Sequence, residues 1–295
     1  MRRAWVLGML VAVGMSAALV AKQEPKPVLP MMIEKVKDNL YMISGAGGAN
    51  TGGNTAVYIA ANGVVLVDTK YAGYGQAILD QVKTVTDKPI THIINTHTHG
   101  DHVGANDFFP ASVEIVTHEN TATNMAKMKN FAEPAAKQGL PDRTFKDRVT
   151  LLSGDDSIDI HYFGPAHTNG DAFIVFRNLR VMHAGDVFPG LRTPLMDANN
   201  GGTGIGYPGT LAKAISGIKN VDTVIPGHGP VTNWQAFVDY GEFMKTWVSS
   251  VQTAAKAGKT AEQAVSEFVP PEKFKSFTMA SGKANVELIY KEVTK

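Results

Sequence analysis

Thr96-His97-Thr98-His99-Gly100-Asp101-His102 places three imidazoles and one carboxylate within six residues. It follows Ile90-Thr91-His92-Ile93-Ile94-Asn95, a short β-branched run that reads as a buried strand. The histidines therefore stand at the C-terminal end of a strand, where open α/β sheets place their sites. In an extended segment alternate side chains share a face, so His97, His99 and Asp101 are expected to point the same way. Gly100 would let the backbone turn and bring in His102. This is a metal grip, built from imidazole nitrogens and a carboxylate. A polar loop that merely happens to hold histidines is the weaker reading, because H-x-H-x-D-H at fixed spacing arises by chance on the order of once in a thousand such chains.

Residues 72–86 carry Ala77, Ile78, Val82 and Val85 at helical spacing and lead into the 90–95 strand, which makes a β-α-β unit. Upstream, Leu40 to Ile43, Thr55 to Ala60 and Val64 to Val67 read as strands, with Ala61-Asn62-Gly63 as a hairpin turn. Asp68 ends the last of them and either caps the next segment or braces the metal loop. Gly45 to Gly53 lacks the G-x-G-x-x-G register of a phosphate cradle and reads as a loop beside the site. Downstream, Val103 to Phe109 reads as a short helix, Val113 to Val116 as a strand and Glu119 to Lys129 as a helix. His118, at the boundary of the last two, is a local hydrogen-bonding residue. Residues 130–147 are polar and read as an exposed excursion.

Strand patterns return at Thr150 to Leu152, Ser157 to Phe163, Ala172 to Phe176 and Leu179 to His183, a second sheet region. Two histidine- or aspartate-bearing turns follow its strands, Gly164-Pro165-Ala166-His167-Thr168 and Ala184-Gly185-Asp186. Gly190 to Gly209 mixes glycines with Leu191, Leu195, Met196 and Ile205 and suits a mobile loop over a pocket. A helix at Leu211 to Ile218 and a strand at Val221 to Ile225 precede Pro226-Gly227-His228-Gly229-Pro230, a tight turn presenting one histidine. From Trp234 onward the pattern is helical.

The chain has 295 residues, 44% of them apolar and 19% charged, and a formal charge of +1, so it offers a large core and no basic footprint for nucleic acid. The absence of cysteine excludes disulfides, thiolate ligands and a thiol nucleophile together. Met1-Arg2-Arg3 and the apolar run Ala4 to Val20 have the form of a secretory signal, with small residues at 16–21 for cleavage. An uncleaved anchor is the less favoured alternative, since the run is at the short edge of a membrane span. The expected organisation is a signal at 1–21, a proline-bearing tether at 22–32, a catalytic domain at 33–230 and a helical cover of the same domain at 231–295. A periplasmic or secreted location and no stable membrane insertion after cleavage follow from it. Without Arg2 and Arg3 the charge is 26 minus 27, or −1.

Four dispersed elements, H-T-H-G-D-H at 97–102, G-P-A-H-T at 164–168, A-G-D at 184–186 and P-G-H-G-P at 226–230, each follow a strand pattern in this order. Together with Gly53-Asn54-Thr55 and Val67-Asp68 they resemble the metallo-β-lactamase superfamily over about residues 33–230. The resemblance implies an α/β fold, a four-layer αββα sandwich of two mixed β-sheets flanked by helices, with the site at one edge. It makes His97, His99 and His167 ligands of one metal and Asp101, His102 and His228 ligands of another, with Asp186 bridging. His92, His161 and His183 are not carried over and are expected to lie in strands or pack locally. An aspartate at 186, where some lactamases of the superfamily have cysteine or serine, looks like the glyoxalase II arrangement.

The implied activity is hydrolysis of a small carbonyl compound, of β-lactam, lactone or thioester type, by a hydroxide bridging two zinc ions, with Asp101 orienting it. The nitrogen and oxygen donor set also admits Fe or Mn. Two divalent ions, two carboxylates and a hydroxide leave the core at about +1, which favours an anionic small-molecule substrate. An iron-dependent sulfur dioxygenase-like oxidoreductase is one alternative, and an RNA-processing nuclease is another that neutral charge and the export signal oppose.

Overall fold

The computed structural model describes residues 27–294, so the signal at 1–21 and the first half of the tether lie outside the described residues. The first sheet is built from β1 (Met31–Lys37), β2 (Leu40–Gly45), β3 (Thr55–Ala60), β4 (Gly63–Val67), β5 (Ile90–Ile94), β6 (Glu114–His118) and β7 (Arg143–Phe145), in that spatial order. The second runs β13-β12-β11-β10-β9-β8, from β8 (Arg148–Leu151), β9 (Ile158–Tyr162), β10 (Ala172–Phe176), β11 (Val181–His183), β12 (Thr223–Ile225) and β13 (Thr232–Asn233). Both are mixed: β4, β5, β6 and β7 pair in parallel, as do β11 and β12, and the other pairs are antiparallel.

Strand alternation assigns the layers. In β4, Val65 and Val67 face the second sheet while Val64 and Leu66 face α1 (Gly75–Lys83), which contributes Ile78 and Val82. In β10, Ala172, Ile174 and Phe176 face the first sheet, whereas Phe173 and Val175 face the outer helices. The two inner faces meet through contacts such as Tyr58 against Phe176, ring centroids 5.2 Å apart. Outside the second sheet lie α4 (Tyr207–Gly217) and α5 (Trp234–Lys256), followed by α6 (Ala261–Glu267) and α7 (Gly282–Val293). The buried face of α5, Phe237, Tyr240, Phe243, Met244, Trp247, Val248 and Val251, repeats every three or four residues as a one-sided helix requires. The result is the expected αββα sandwich. No helix among the described residues is long and apolar enough to cross a membrane.

Three segments depart from the sequence reading. β1 begins at Met31, inside the stretch read as tether, because Met31 pairs with Gly45 and Met32 with Ser44 across β2. The 130–147 excursion contains β7, recruited to the sheet edge by parallel pairing with β6, and its Phe131 is buried with Val103 and Met125. The helix expected at 103–109 starts earlier, as α2 (Gly100–Val103), and only a single 3-10 turn at Asn106–Phe108 follows. The third shift bears directly on the site.

Candidate metal centre

β5 runs parallel to β4 and β6, β11 runs parallel to β12, and the segments after Ile94, His183 and Ile225 converge at one edge of the sandwich. After Ile94 the chain leaves the strand as an irregular turn and enters α2 at Gly100, with His102 and Val103 N–H groups donating to His99 O at 2.9 and 3.1 Å. The shared extended face expected for His97, His99 and Asp101 is therefore not formed. Gly100 is ordinary helix, and a Cβ there would meet only Met128 Cε at 3.9 Å, so neither a left-handed turn nor crowding explains the glycine.

The helical turn sorts the donors into two groups. His97, His99, His167 and Asp186 offer one set of atoms within 4.8 Å of one another, and Asp101, His102 and His228 offer a second. His167 Nε2 lies 2.9 Å from His99 Nδ1, and His228 Nε2 lies 3.4 Å from Asp101 Oδ2. Asp186 stands between the groups. Its Oδ2 is 3.7 Å from His167 Nε2, while its Oδ1 is 3.4 Å from both His102 Nε2 and His228 Nε2.

The outer nitrogens of His97, His99, His102 and His167 are occupied, which aims the inner ones at the centre. Asp68 accepts from Thr96 N at 2.8 Å, Thr96 Oγ1 at 2.7 Å and His102 Nδ1 at 2.7 Å, so of its two possible roles it takes the brace. Thr96 Oγ1 also lies 2.9 Å from His97 Nδ1. His99 Nε2 is 2.9 Å from Asp197 Oδ2, and His167 Nδ1 bonds to Leu195 O. The His228 turn is tied to the first sheet by Asn54, whose amide donates to Pro226 O at 2.9 Å and Gly229 O at 2.8 Å.

Whether these residues suit a metal can be tested on their unmet valences. His97 Nε2, His102 Nε2 and Asp186 Oδ1 are buried without a hydrogen-bond partner, a cost that a cation at the centre would remove. Burial, reinforced by neighbouring imidazoles, holds His97 well below the ordinary histidine range and His167 at about 4, so both are neutral and able to ligate. His102 is buried too, yet Asp186 and Asp68 raise it well above that range in the metal-free chain. Burial opposes ionisation of Asp101, but the His228 hydrogen bond and the His102 charge lower it to about 2. The set is all nitrogen and oxygen, and it fits divalent ions.

Two glycines are required by close approach. A Cβ at Gly53 would lie 2.1 Å from His102 Cε1, and one at Gly227 would lie 1.9 Å from Asp186 Oδ1. The remaining histidines stand apart from both donor groups: His92 in β5 beside Glu114, His118 capping α3 (Glu119–Met125), His161 stacked on Phe163, and His183 with Nε2 3.2 Å from Asn54 O. The sequence reading missed Asp197 and Arg192, which carry no motif, and Lys70, which is fully buried with Nζ donating to Gly53 O at 2.7 Å. Burial lowers Lys70 to about 7 against the pull of Asp68 and Asp101.

A cleft of about 770 Å³ opens over the donors, lined by Ser44, Asn50, Asn54, Tyr71, Asp101, Arg192 and His228 among others. An apolar arm of about 340 Å³, lined by Phe188, Leu191, Pro226, Pro230 and Val231, shares Arg192 and His228 with it. The loop read as mobile is in fact pinned at both ends: Thr193 N donates to Thr278 O at 2.9 Å, and the Gly204 and Ile205 N–H groups donate to Glu292 Oε2 at 3.0 and 2.8 Å.

The fold, the order of the donors and the brace at Asp68 agree with a family match: the family model of the metallo-beta-lactamase superfamily covers residues 49–228. The chain belongs to that superfamily. Metallo-beta-lactamase IND-1 of Chryseobacterium indologenes is 23% identical over 209 residues, 65% of this chain and 80% of the relative. The 2,4-dinitroanisole O-demethylase subunit alpha of a Nocardioides strain is 31% identical over 136 residues, 43% of this chain, and the match spans only 39% of that subunit. Among solved structures, DIM-1 metallo-beta-lactamase superposes with TM-score 0.62 at 20% identity over 75% of this chain and 99% of its own. The sec-alkylsulfatase Pisa1 of a Pseudomonas species superposes with TM-score 0.74 at 13% identity over 89% of this chain and 50% of its own. Membership places the chain in a hydrolase-type family, and its two His/Asp groups could hold metal ions. The superfamily match ends at His228, so α5, α6 and α7 lie beyond it.

Proposed function

We propose that the chain is a dinuclear metal-dependent hydrolase, binds two zinc ions, and cleaves a small anionic carbonyl compound of lactam, lactone or thioester type. The observation that carries the reading is the division of Asp186, one oxygen toward His167 and the other toward His102 and His228, which suits a carboxylate shared by two cations. His97, His99 and His167 would hold one ion, Asp101, His102 and His228 the other. Ions so held would polarise the scissile carbonyl and lower the pKa of a water from 15.7 toward about 7.

The chain's own residues do the rest. Asp101 turns Oδ2 to His228 and His102, leaving Oδ1 to orient the attacking water and accept its proton. Asp68 and Asp197 on the outer nitrogens add two negative charges and turn the balance of about +1 left by the donor set alone into about −1. Anion preference then rests on Arg192, a half-buried cation on the wall of both the cleft and its apolar arm, with its backbone bridged to Thr278. A substrate carboxylate on Arg192 would place the carbonyl toward Asp101 and His228, and an apolar substituent would enter the arm beside Phe188 and Leu191.

Export, read from residues 1–21, is also proposed, and N-terminal sequencing of envelope protein checks it: an intact Met1 in a soluble cytosolic fraction refutes it. For the activity, the purified chain is assayed for bound metal and for hydrolysis of lactams, lactones and thioesters with and without chelator. Zinc near two per chain with chelator-sensitive turnover supports the reading. One ion per chain, or turnover indifferent to chelator, refutes it.

A further inference from the structure

The pentapeptide Thr193-Pro194-Leu195-Met196-Asp197 touches the proposed first metal set twice. Leu195 O takes the outer nitrogen of His167, and the Asp197 carboxylate takes the outer nitrogen of His99. These two contacts lie two residues apart on one extended strip, so displacing the strip would turn both rings together. The strip is held from outside the superfamily match. Asn285, on α7 and fully buried, donates from Nδ2 to Pro194 O at 2.7 Å and accepts at Oδ1 from Met196 N at 3.0 Å. Its amide thus brackets Leu195. Thr193 Oγ1 is bonded to Ala280 O, one residue before Ser281, the N-cap of α7.

We infer that Asn285 is a positioning residue for the metal centre, setting the orientation of His167 and His99 through the 193–197 strip. No side-chain atom of Asn285 reaches the donors. Its effect passes through two backbone hydrogen bonds that fix the peptide carrying Leu195 O. A buried primary amide suits this task, since one plane supplies both the donor and the acceptor that a bare strip of backbone needs. Glu292, also on α7, holds the same loop further along, at Gly204 and Ile205, without bracketing the strip. It therefore separates a specific positioning effect from general loosening of the loop.

The inference rests on the metal-centre reading, and one experiment distinguishes their failures. Zn(II) affinity by chelator competition, and the electronic spectrum of the Co(II)-loaded protein, are measured for the full parent chain, Asn285→Ala, Asn285→Asp and Glu292→Gln, with far-UV circular dichroism to verify folding. Asn285→Ala is expected to weaken one ion by about 10-fold or more and to alter the Co(II) bands. Asn285→Asp keeps the acceptor for Met196 N but loses the donor to Pro194 O, and falls between. Glu292→Gln loads like the parent. In a His228→Ala background, where only the first set stays whole, the Asn285→Ala effect persists. A parent that takes up neither ion sinks the metal-centre reading and the inference with it. A parent that loads while Asn285→Ala loads equally, or while Glu292→Gln loses as much as Asn285→Ala, sinks the inference alone. Should Asn285→Ala fail to fold, the Asn285→Asp spectrum decides: parent-like bands and affinity overturn the inference.

Discussion

Replacing Asp68 by Asn isolates what the brace does to the metal centre. Asp68 sits at φ 63°, a left-handed conformation that Asn adopts as readily as Asp, so the backbone has no reason to move. Its two oxygens accept three hydrogen bonds, from Thr96 N, Thr96 Oγ1 and His102 Nδ1, and the side chain is fully buried. An amide offers one oxygen and one NH₂. If the NH₂ faces His102, Nδ1 must accept and the ring proton moves to Nε2, the atom turned toward Asp101 and Asp186, where it blocks ligation. If the amide is flipped, its NH₂ opposes the Thr96 N–H and leaves a buried donor unpaired, at a cost of about 1–3 kcal/mol. Either orientation harms the site, the first through metal and the second through stability. The expected result is a loss of about 10–100-fold in affinity for the ion held by Asp101, His102 and His228. A fall in melting temperature of roughly 2–4 °C per kcal/mol lost accompanies it. Metal content after dialysis, chelator competition and thermal melting with and without zinc measure both. An Asp68→Asn chain that keeps both ions within about twofold of the parent affinity, with an unchanged melting temperature, would refute the bracing argument.

Arg192→Ala is expected to lower kcat/KM for a carboxylate-bearing substrate by about 10–100-fold, chiefly through KM, with metal content unchanged; an equal loss on a matched neutral substrate would show that Arg192 does not read the anion. Gly227→Ala drives a methyl into Asp186 Oδ1, 1.9 Å away, and should cost about 1–3 kcal/mol and at least one ion; full metal occupancy by mass spectrometry would contradict the required close approach. Asp159 is burdened by burial, but Arg177, Thr150 and Arg148 hold its carboxyl well below the ordinary range. Its contribution is therefore present above the unfolded carboxylate pKa of about 3.9 and lost as pH falls toward the lower folded value. Asp159→Asn should destabilise by about 1 kcal/mol at neutral pH, the arginines being half exposed, and denaturant midpoints should converge with the parent below about pH 4; a gap that widens with acid would reverse the sign.

What the amino-acid sequence determined by itself was local or compositional. The short, largely β-branched apolar runs at 64–67 and 90–94 define strands because side chains on successive residues point to opposite faces and a strand covered on both sides must be apolar on both. The absence of cysteine limits any ligand set to nitrogen and oxygen, and the fixed spacing of His97, His99, Asp101 and His102 keeps those donors together whatever the rest of the chain does. The division of the donors was implied by the family resemblance and not by spacing, and only the tertiary structure supplies its physical reason. His99 and Asp101 part company because a helical turn begins between them, a matter of hydrogen bonding that the extended-face argument could not anticipate. Asp197 reaches His99 across 98 residues of chain, and Asn285 reaches Pro194 across 91. Neither residue carries a motif, since an aspartate in a glycine-rich loop and an asparagine in a helix resemble any surface polar residue until the fold buries them. Short-range spacing reveals the candidate donors at 97–102, whereas the orientation of those groups depends on hydrogen bonds whose partners meet only when two sheets and the C-terminal helices have packed.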